Sequence, residues 1–142
     1  MPSALENLAT KVGSLKPEKF SQAEFDGLLR SGKRRLADAQ NSDLSYESRF
    51  DLAYNASHAL GLAALRWHGY RPENRFIVFQ CLTHTLEIAP EKWRVLDLAH
   101  TKRNAAEYDG DLEVSEALLA AMIAVAEDML RRCEALDASA SN

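Results

Sequence analysis

The sequence predicts an all-α fold, an antiparallel up-and-down bundle of four to five helices. Three observations carry that prediction. Ala, Leu, Glu, Arg and Lys are plentiful and long runs of alternating β-branched residues are missing, a balance that favours helix. Apolar residues recur at three- and four-residue spacing through most of the chain. The six Gly and four Pro fall mostly where those stretches should stop. At 142 residues the chain is one domain's worth, enough for a single core.

Residues 1–20 read as an N-terminal arm. Leu5, Leu8, Val12 and Leu15 make a short amphipathic stretch broken by Gly13 and Pro17, either a docking arm or a frayed end. Residues 21–137 form the bundle domain. Ser21-Gln22-Ala23-Glu24 has the pattern of a capping box, with the Ser hydroxyl accepting from the Glu24 amide and Glu24 reaching back. The helix it opens buries Phe25, Leu28, Leu29 and Leu36, has Gly32 as a weak point, and should end near Asn41. A second start lies at Ser42 to Ser45. The helix beyond it runs to about Trp67, with Phe50, Ala53, Tyr54, Ser57, Leu60, Gly61 and Ala64 on one stripe. Those residues are mostly small, so a neighbouring helix can approach closely there. Gly69 and Pro72 then mark a loop over residues 68–74.

Residues 75–82 (RFIVFQCL) would suit a strand by composition. A strand with nothing to pair against leaves its backbone groups unsatisfied, so a helix continuing to Ile88 and closed by Pro90 is expected. Glu91 to Tyr108 is the fourth helix. Glu113 to Leu136 is the fifth, with Leu118, Met122, Val125, Met129, Cys133 and Leu136 along one face. Residues 138–142 are small and polar, a disordered tail.

The net charge of −4 argues against a general nucleic-acid coat, which must neutralise many phosphates. The basic run Arg30, Lys33, Arg34 and Arg35 reads as a solvated helix face. Cys81 and Cys133 lack Cys-x-x-Cys partners and a secretory signal is not evident, so both are expected as reduced thiols. With no apolar run near the ~20 residues of a membrane span, and no basic and apolar leader, a cytoplasmic location is expected.

The fourth helix carries the chemistry. At roughly 100° per residue, Val95, Leu98, Ala99, Ala105 and Ala106 share an arc of about 120°, an expected core face on which Lys102 also falls. His100, Arg103, Asn104, Glu107 and Tyr108 share the opposite arc with Trp93 and Leu96. Aromatic residues and Arg together are typical of interfaces, which makes Trp93, Leu96 and Glu107 candidates for a dimer contact.

Two segments resemble the HEPN (higher eukaryotes and prokaryotes nucleotide-binding) superfamily. Arg49-Phe50-Asp51-Leu52-Ala53-Tyr54-Asn55-Ala56, leading through Ala59 to Leu65 and on to Gly69-Tyr70-Arg71-Pro72, resembles the long second helix and Gly loop of bacterial members. Arg103-Asn104-Ala105-Ala106-Glu107-Tyr108-Asp109-Gly110 resembles their short functional motif, and the likeness spans roughly residues 45–136. It implies a four- or five-helix bundle, often dimeric. In ribonuclease members an Arg, a polar residue, variable positions and a His sit at the dimer interface, the Arg holding phosphate and the His moving protons. Arg103 and Asn104 match the first two, but Tyr108 stands where the His belongs. A phenol titrates near pH 10 and is a poor proton shuttle at neutrality; loss of a general acid or base costs about two to four orders of magnitude. The resemblance therefore implies a non-catalytic module binding a nucleotide, RNA or a protein partner through Arg103, Asn104 and Tyr108, as a homodimer, in a toxin–antitoxin or defence-type system. The alternatives are a metal-independent ribonuclease that uses His100 or Tyr108 with Arg103, and a purely structural dimer.

Other constellations are weaker. His84 and Glu87 could form half of a metal pair, but no second pair or Glu-x-x-His motif accompanies them, so neither metal nor cofactor is expected. His58 reads as a satisfied core histidine, His68 lies in a loop, and Glu47 and Asp51 near Arg49 read as helix ion pairs. Phosphate-binding Gly loops and nucleophile elbows are not seen.

Overall fold

The computed structural model describes residues 4–7, 14–110 and 113–140; the side chains of residues 75, 76, 107–109 and 140 lie outside that description. The elements follow in the order α1 (Ala4–Asn7), β1 (Leu15–Pro17), α2 (Gln22–Ala39), α3 (Tyr46–Trp67), β2 (Tyr70–Pro72), α4 (Arg75–Gln80), α5 (Leu82–Thr85), α6 (Pro90–Asp109) and α7 (Glu116–Ala140). The four long helices alternate in direction and form the expected all-α bundle.

Local chemistry sets the helix starts. Ser21 accepts from the Glu24 amide at 3.2 Å and opens α2. The carboxylate of Glu24 does not reach back as a capping box would; it bonds Arg66 and Arg71. Ser45 accepts from the Ser48 amide and opens α3, and Pro90 sits in the first turn of α6, where its missing N–H costs nothing. Ser115 accepts from the Leu118 amide, so α7 begins at Glu116 rather than Glu113. That helix continues through Ala140, across the first residues expected as a disordered tail; residues 141–142 lie outside the described residues.

The helix expected from residue 75 to Ile88 is instead two short ones, α4 and α5, broken at Cys81. It stops at Thr85 because Glu87 takes a left-handed φ of 57°, and the Ile88 amide folds back onto the Leu82 carbonyl. The two three-residue strands were not foreseen. They pair antiparallel, Leu15 against Pro72 and Pro17 against Tyr70. Part of the expected arm thereby lies on the bundle: Leu5 and Leu15 are buried with Leu65, Ile77, Val78 and Cys81. Leu8 and Val12 lie outside the described residues.

The core centres on α3. Its predicted stripe of Phe50, Ala53, Tyr54, Ser57, Leu60, Gly61 and Ala64 is wholly buried. Antiparallel α2 packs on one side, with Glu24 opposite Arg66 and Arg49 bonded to the Ala39 carbonyl. A Cβ on Gly32 would stand 2.6 Å from Leu60 Cγ, so this glycine marks where α2 touches α3 rather than a weak point. Helix α7 crosses the middle parallel to α3, Cys133 donating its thiol proton to the Leu60 carbonyl at 3.4 Å. Helix α6 closes the far side.

Candidate functional site

Helix α3 contributes Tyr54, and α6 contributes His100, Arg103 and Asn104. The Tyr54 ring is locked by its neighbours: Phe50 stacks at 6.4 Å and 13°, and Phe79 of α4 meets it edge-on at 5.6 Å. Only 1% of Tyr54 is exposed, yet its hydroxyl reaches α6 and lies 2.7 Å from His100 Nδ1. Asn104, one turn on, places its side-chain amide 3.1 Å from His100 Nε2. The Arg103 guanidinium lies over the Tyr54 ring, 4.7 Å from its centre.

Those contacts constrain one another. A neutral imidazole offers one donor and one acceptor. The buried Tyr54 hydroxyl pairs with Nδ1 and the Asn104 side chain with Nε2, so both ring nitrogens are engaged. The exposed Asn104 side chain turns its amide nitrogen toward Nε2. Arg103 is held by the face of an aromatic ring, and among the described residues no carboxylate or carbonyl faces it. A cation held by a ring keeps its N–H fork open for a planar or tetrahedral anion.

The sequence picture of α6 needs rotating. Leu96, expected on a free interface, is fully buried with Ala99 in the core, and Trp93 packs partly buried against it. Leu98, expected inside, is 50% exposed, and Ala105 is exposed too. The arc that carries His100 and Arg103 therefore faces Tyr54 of α3. Its spacing of Trp93, Leu96, His100 and Arg103 is itself a helical stripe, in which the apolar members anchor and the polar members line the rim. The side chains of Glu107 and Tyr108 lie outside the described residues.

A second polar cluster sits at the C-terminal end of α3 and was not foreseen. Arg66 is 1% exposed and donates to the carbonyls of Glu18, Lys19 and Tyr70 and to the Glu24 carboxylate. Arg71 bonds Glu18 and Glu24 as well, and its hydrogen bond holds the Glu18 carboxyl below its ordinary range. All these groups satisfy one another, and they tie β1, β2 and the start of α2 together. Arg66 carried no signal beyond being a charge on an otherwise apolar helix face.

The remaining candidates separate. His58 lies edge-on to Phe79 at 6.2 Å and is partly exposed, beside a 260 Å³ hollow lined by Leu62, Arg71, Pro72 and Asn74. A hollow of 470 Å³ is lined by His68, His84, Glu87 and Arg132 among others, some 20 Å along α3 from Tyr54 at about 1.5 Å per residue. His68 Nε2 donates there to the Thr85 carbonyl at 3.1 Å. Among the described residues no three His, Cys, Asp or Glu side chains converge as metal ligands, and no helix is long and apolar enough to cross a membrane. Arg49 makes no ion pair with Glu47 or Asp51; it bonds the Ala39 carbonyl and lies over Tyr46. Burial pushes the thiols up, to about 11 for Cys81 and about 12 for Cys133, where Glu134 adds to the effect. Both are free and buried, so neither is a nucleophile.

Comparison of the chain with protein-family models, with curated proteins and with solved structures finds no match.

Proposed function

We propose that this chain is a HEPN-like helical module that binds RNA, or a nucleotide presenting the same phosphate chemistry, through Arg103, Asn104 and Tyr108, without cleaving it. The observation that carries this reading is the Arg103 guanidinium seated on the Tyr54 ring beside His100 and Asn104, with no carboxylate facing it among the described residues. The other described arginines that are buried or half-buried have hydrogen-bond partners: Arg66, Arg71 and Arg132 bond carboxylates, and Arg49, over the Tyr46 ring, bonds the Ala39 carbonyl. A guanidinium seated on a ring, with no carboxylate facing it among the described residues, is suited to a phosphate oxygen pair. The acidic net charge points to few phosphate contacts and so to a local, modestly salt-dependent grip. In this reading the module works as a homodimer or with a protein partner, in a toxin–antitoxin or defence-type setting.

A second reading, a metal-independent ribonuclease, is favoured by one contact pattern: His100 and Arg103, one helical turn apart, both meet Tyr54, so a histidine stands near the arginine although the later position holds Tyr108. One experiment separates the two. Fluorescence anisotropy and gel assay of a labelled single-stranded RNA pool, wild type beside Arg103→Ala, should show binding without cleavage. The variant should bind about tenfold or more weakly, as loss of a hydrogen-bonded charge implies. Cleavage by wild type that disappears in Arg103→Ala would instead establish the ribonuclease. Absence of RNA binding by wild type would overturn the proposal.

A further inference from the structure

The site just described depends on a residue that the helical pattern assigns to the core alone. We infer that Tyr54 is the positioning residue of the α6 site: its hydroxyl fixes the His100 imidazole and its ring seats Arg103, so that both present to one ligand. The inference rests on the RNA-binding reading above.

Three features support it. Tyr54 meets two α6 residues through two different chemistries, a hydrogen bond of 2.7 Å and a cation–ring contact of 4.7 Å. A core tyrosine that served packing alone would need one partner for its hydroxyl and nothing over its face. The ring itself cannot swing away, because Phe50 and Phe79 hold it on two sides. The Tyr54 and His100 rings are also nearly parallel, 17° apart with centres 6.2 Å from each other, so the imidazole has a defined plane. With Nδ1 held by the Tyr54 hydroxyl and Nε2 by the Asn104 side chain, the imidazole is fixed beside Arg103. A ligand oxygen arriving at Arg103 thus meets a preset guanidinium beside a fixed imidazole, and preset groups cost little reorganisation on binding.

The test is Tyr54→Phe, which keeps the ring and its packing and removes the hydroxyl. The nitrogen-15 resonances of His100 and the affinity for a labelled single-stranded RNA pool are measured in both proteins. Removing the bond should move the Nδ1 resonance toward that of an unbonded imidazole nitrogen and weaken RNA binding roughly three- to tenfold, the range for one neutral hydrogen bond. Tyr54→Leu, which also removes the seat of Arg103, should weaken binding further; circular dichroism identifies any loss of fold. An unchanged Nδ1 resonance in Tyr54→Phe overturns the inference, as does a moved resonance with unchanged affinity. Failure of the wild type to bind RNA fails the functional reading and this inference together, whereas intact binding by Tyr54→Phe fails this inference alone.

Discussion

Two glycines in the same helix should respond in opposite directions to the same substitution. Gly27 and Gly32 both lie inside α2, and in an exposed helix either would gain about 1 kcal/mol on becoming Ala. Around Gly27 a new Cβ meets nothing within 4 Å, so the gain should be realised. At Gly32 the Cβ would lie 2.6 Å from Leu60 Cγ and 2.7 Å from Leu60 Cδ2. Ordinary carbon contacts are about 3.5–4.0 Å, so Leu60 or the helix must shift by about 1 Å. Leu60 is fully buried, and its branching carbon cannot turn aside as a flexible chain end would. Overpacking of this kind costs about 1–3 kcal/mol, and an overlap this large belongs near the top of that range. After the propensity gain, Gly32→Ala should lose about 2 kcal/mol, some 6–10 °C in Tm for a domain of this size. Thermal melts followed by circular dichroism, with urea midpoints as a second measure, give the comparison. A Gly32→Ala protein as stable as wild type, or a Gly27→Ala protein less stable, would refute the packing geometry of α2 on α3.

Three further outcomes follow from the structure. Arg66→Met should lower the urea-derived stability by about 1–3 kcal/mol, because it removes the buried guanidinium that bonds the Glu18, Lys19 and Tyr70 carbonyls and the Glu24 carboxylate; no loss would mean that water replaces the guanidinium. Burial works to raise the Asp128 pKa, but hydrogen bonds from Arg132 and Lys92 outweigh it and hold the carboxyl below its ordinary value. A depressed folded pKa gives stability that is full above the unfolded value, about 3.9, and disappears as pH falls through the folded one. Asp128→Asn should therefore be less stable than wild type at pH 7 and converge on it as the pH drops below about 4, which acid titration of Tm would reveal. Finally, Cys81 and Cys133 should resist an aromatic disulfide reagent at pH 8 in the native protein and both react in denaturant, since burial pushes their thiols to about 11 and about 12; fast native labelling of either would contradict their burial.

Much of the bundle was legible because its signals are local. Ser21 and Ser45 cap the helices they precede, Pro90 opens α6, and the small-residue stripe of α3 is buried throughout. The strand pair was not, because three residues are too few for a period-two pattern and the partners lie more than fifty positions apart in the chain. The face of α6 was misjudged for a different reason. Its apolar residues are scattered around the axis, so several arcs look equally apolar, and contact with α3 and α7 selects the one containing Leu96. Of the candidate site, Arg103, Asn104 and His100 could be found from spacing and residue type. Tyr54 could not, since a buried tyrosine on a core stripe looks the same in sequence whether or not its hydroxyl has a partner on another helix.

Helix α6 buries fully only Leu96 and Ala99 among its described side chains, and is otherwise tethered by Lys92 to Asp128 near one end and by Tyr54 to His100 toward the other. The second tether is the candidate site itself. Seating of the helix and occupancy of the site are therefore linked equilibria: a ligand that engages Arg103 and His100 in the docked arrangement also draws α6 onto the bundle, and any change that loosens α6 raises the free-energy cost of binding. The weakest-held helix of the bundle is thus the one whose docking a ligand would report.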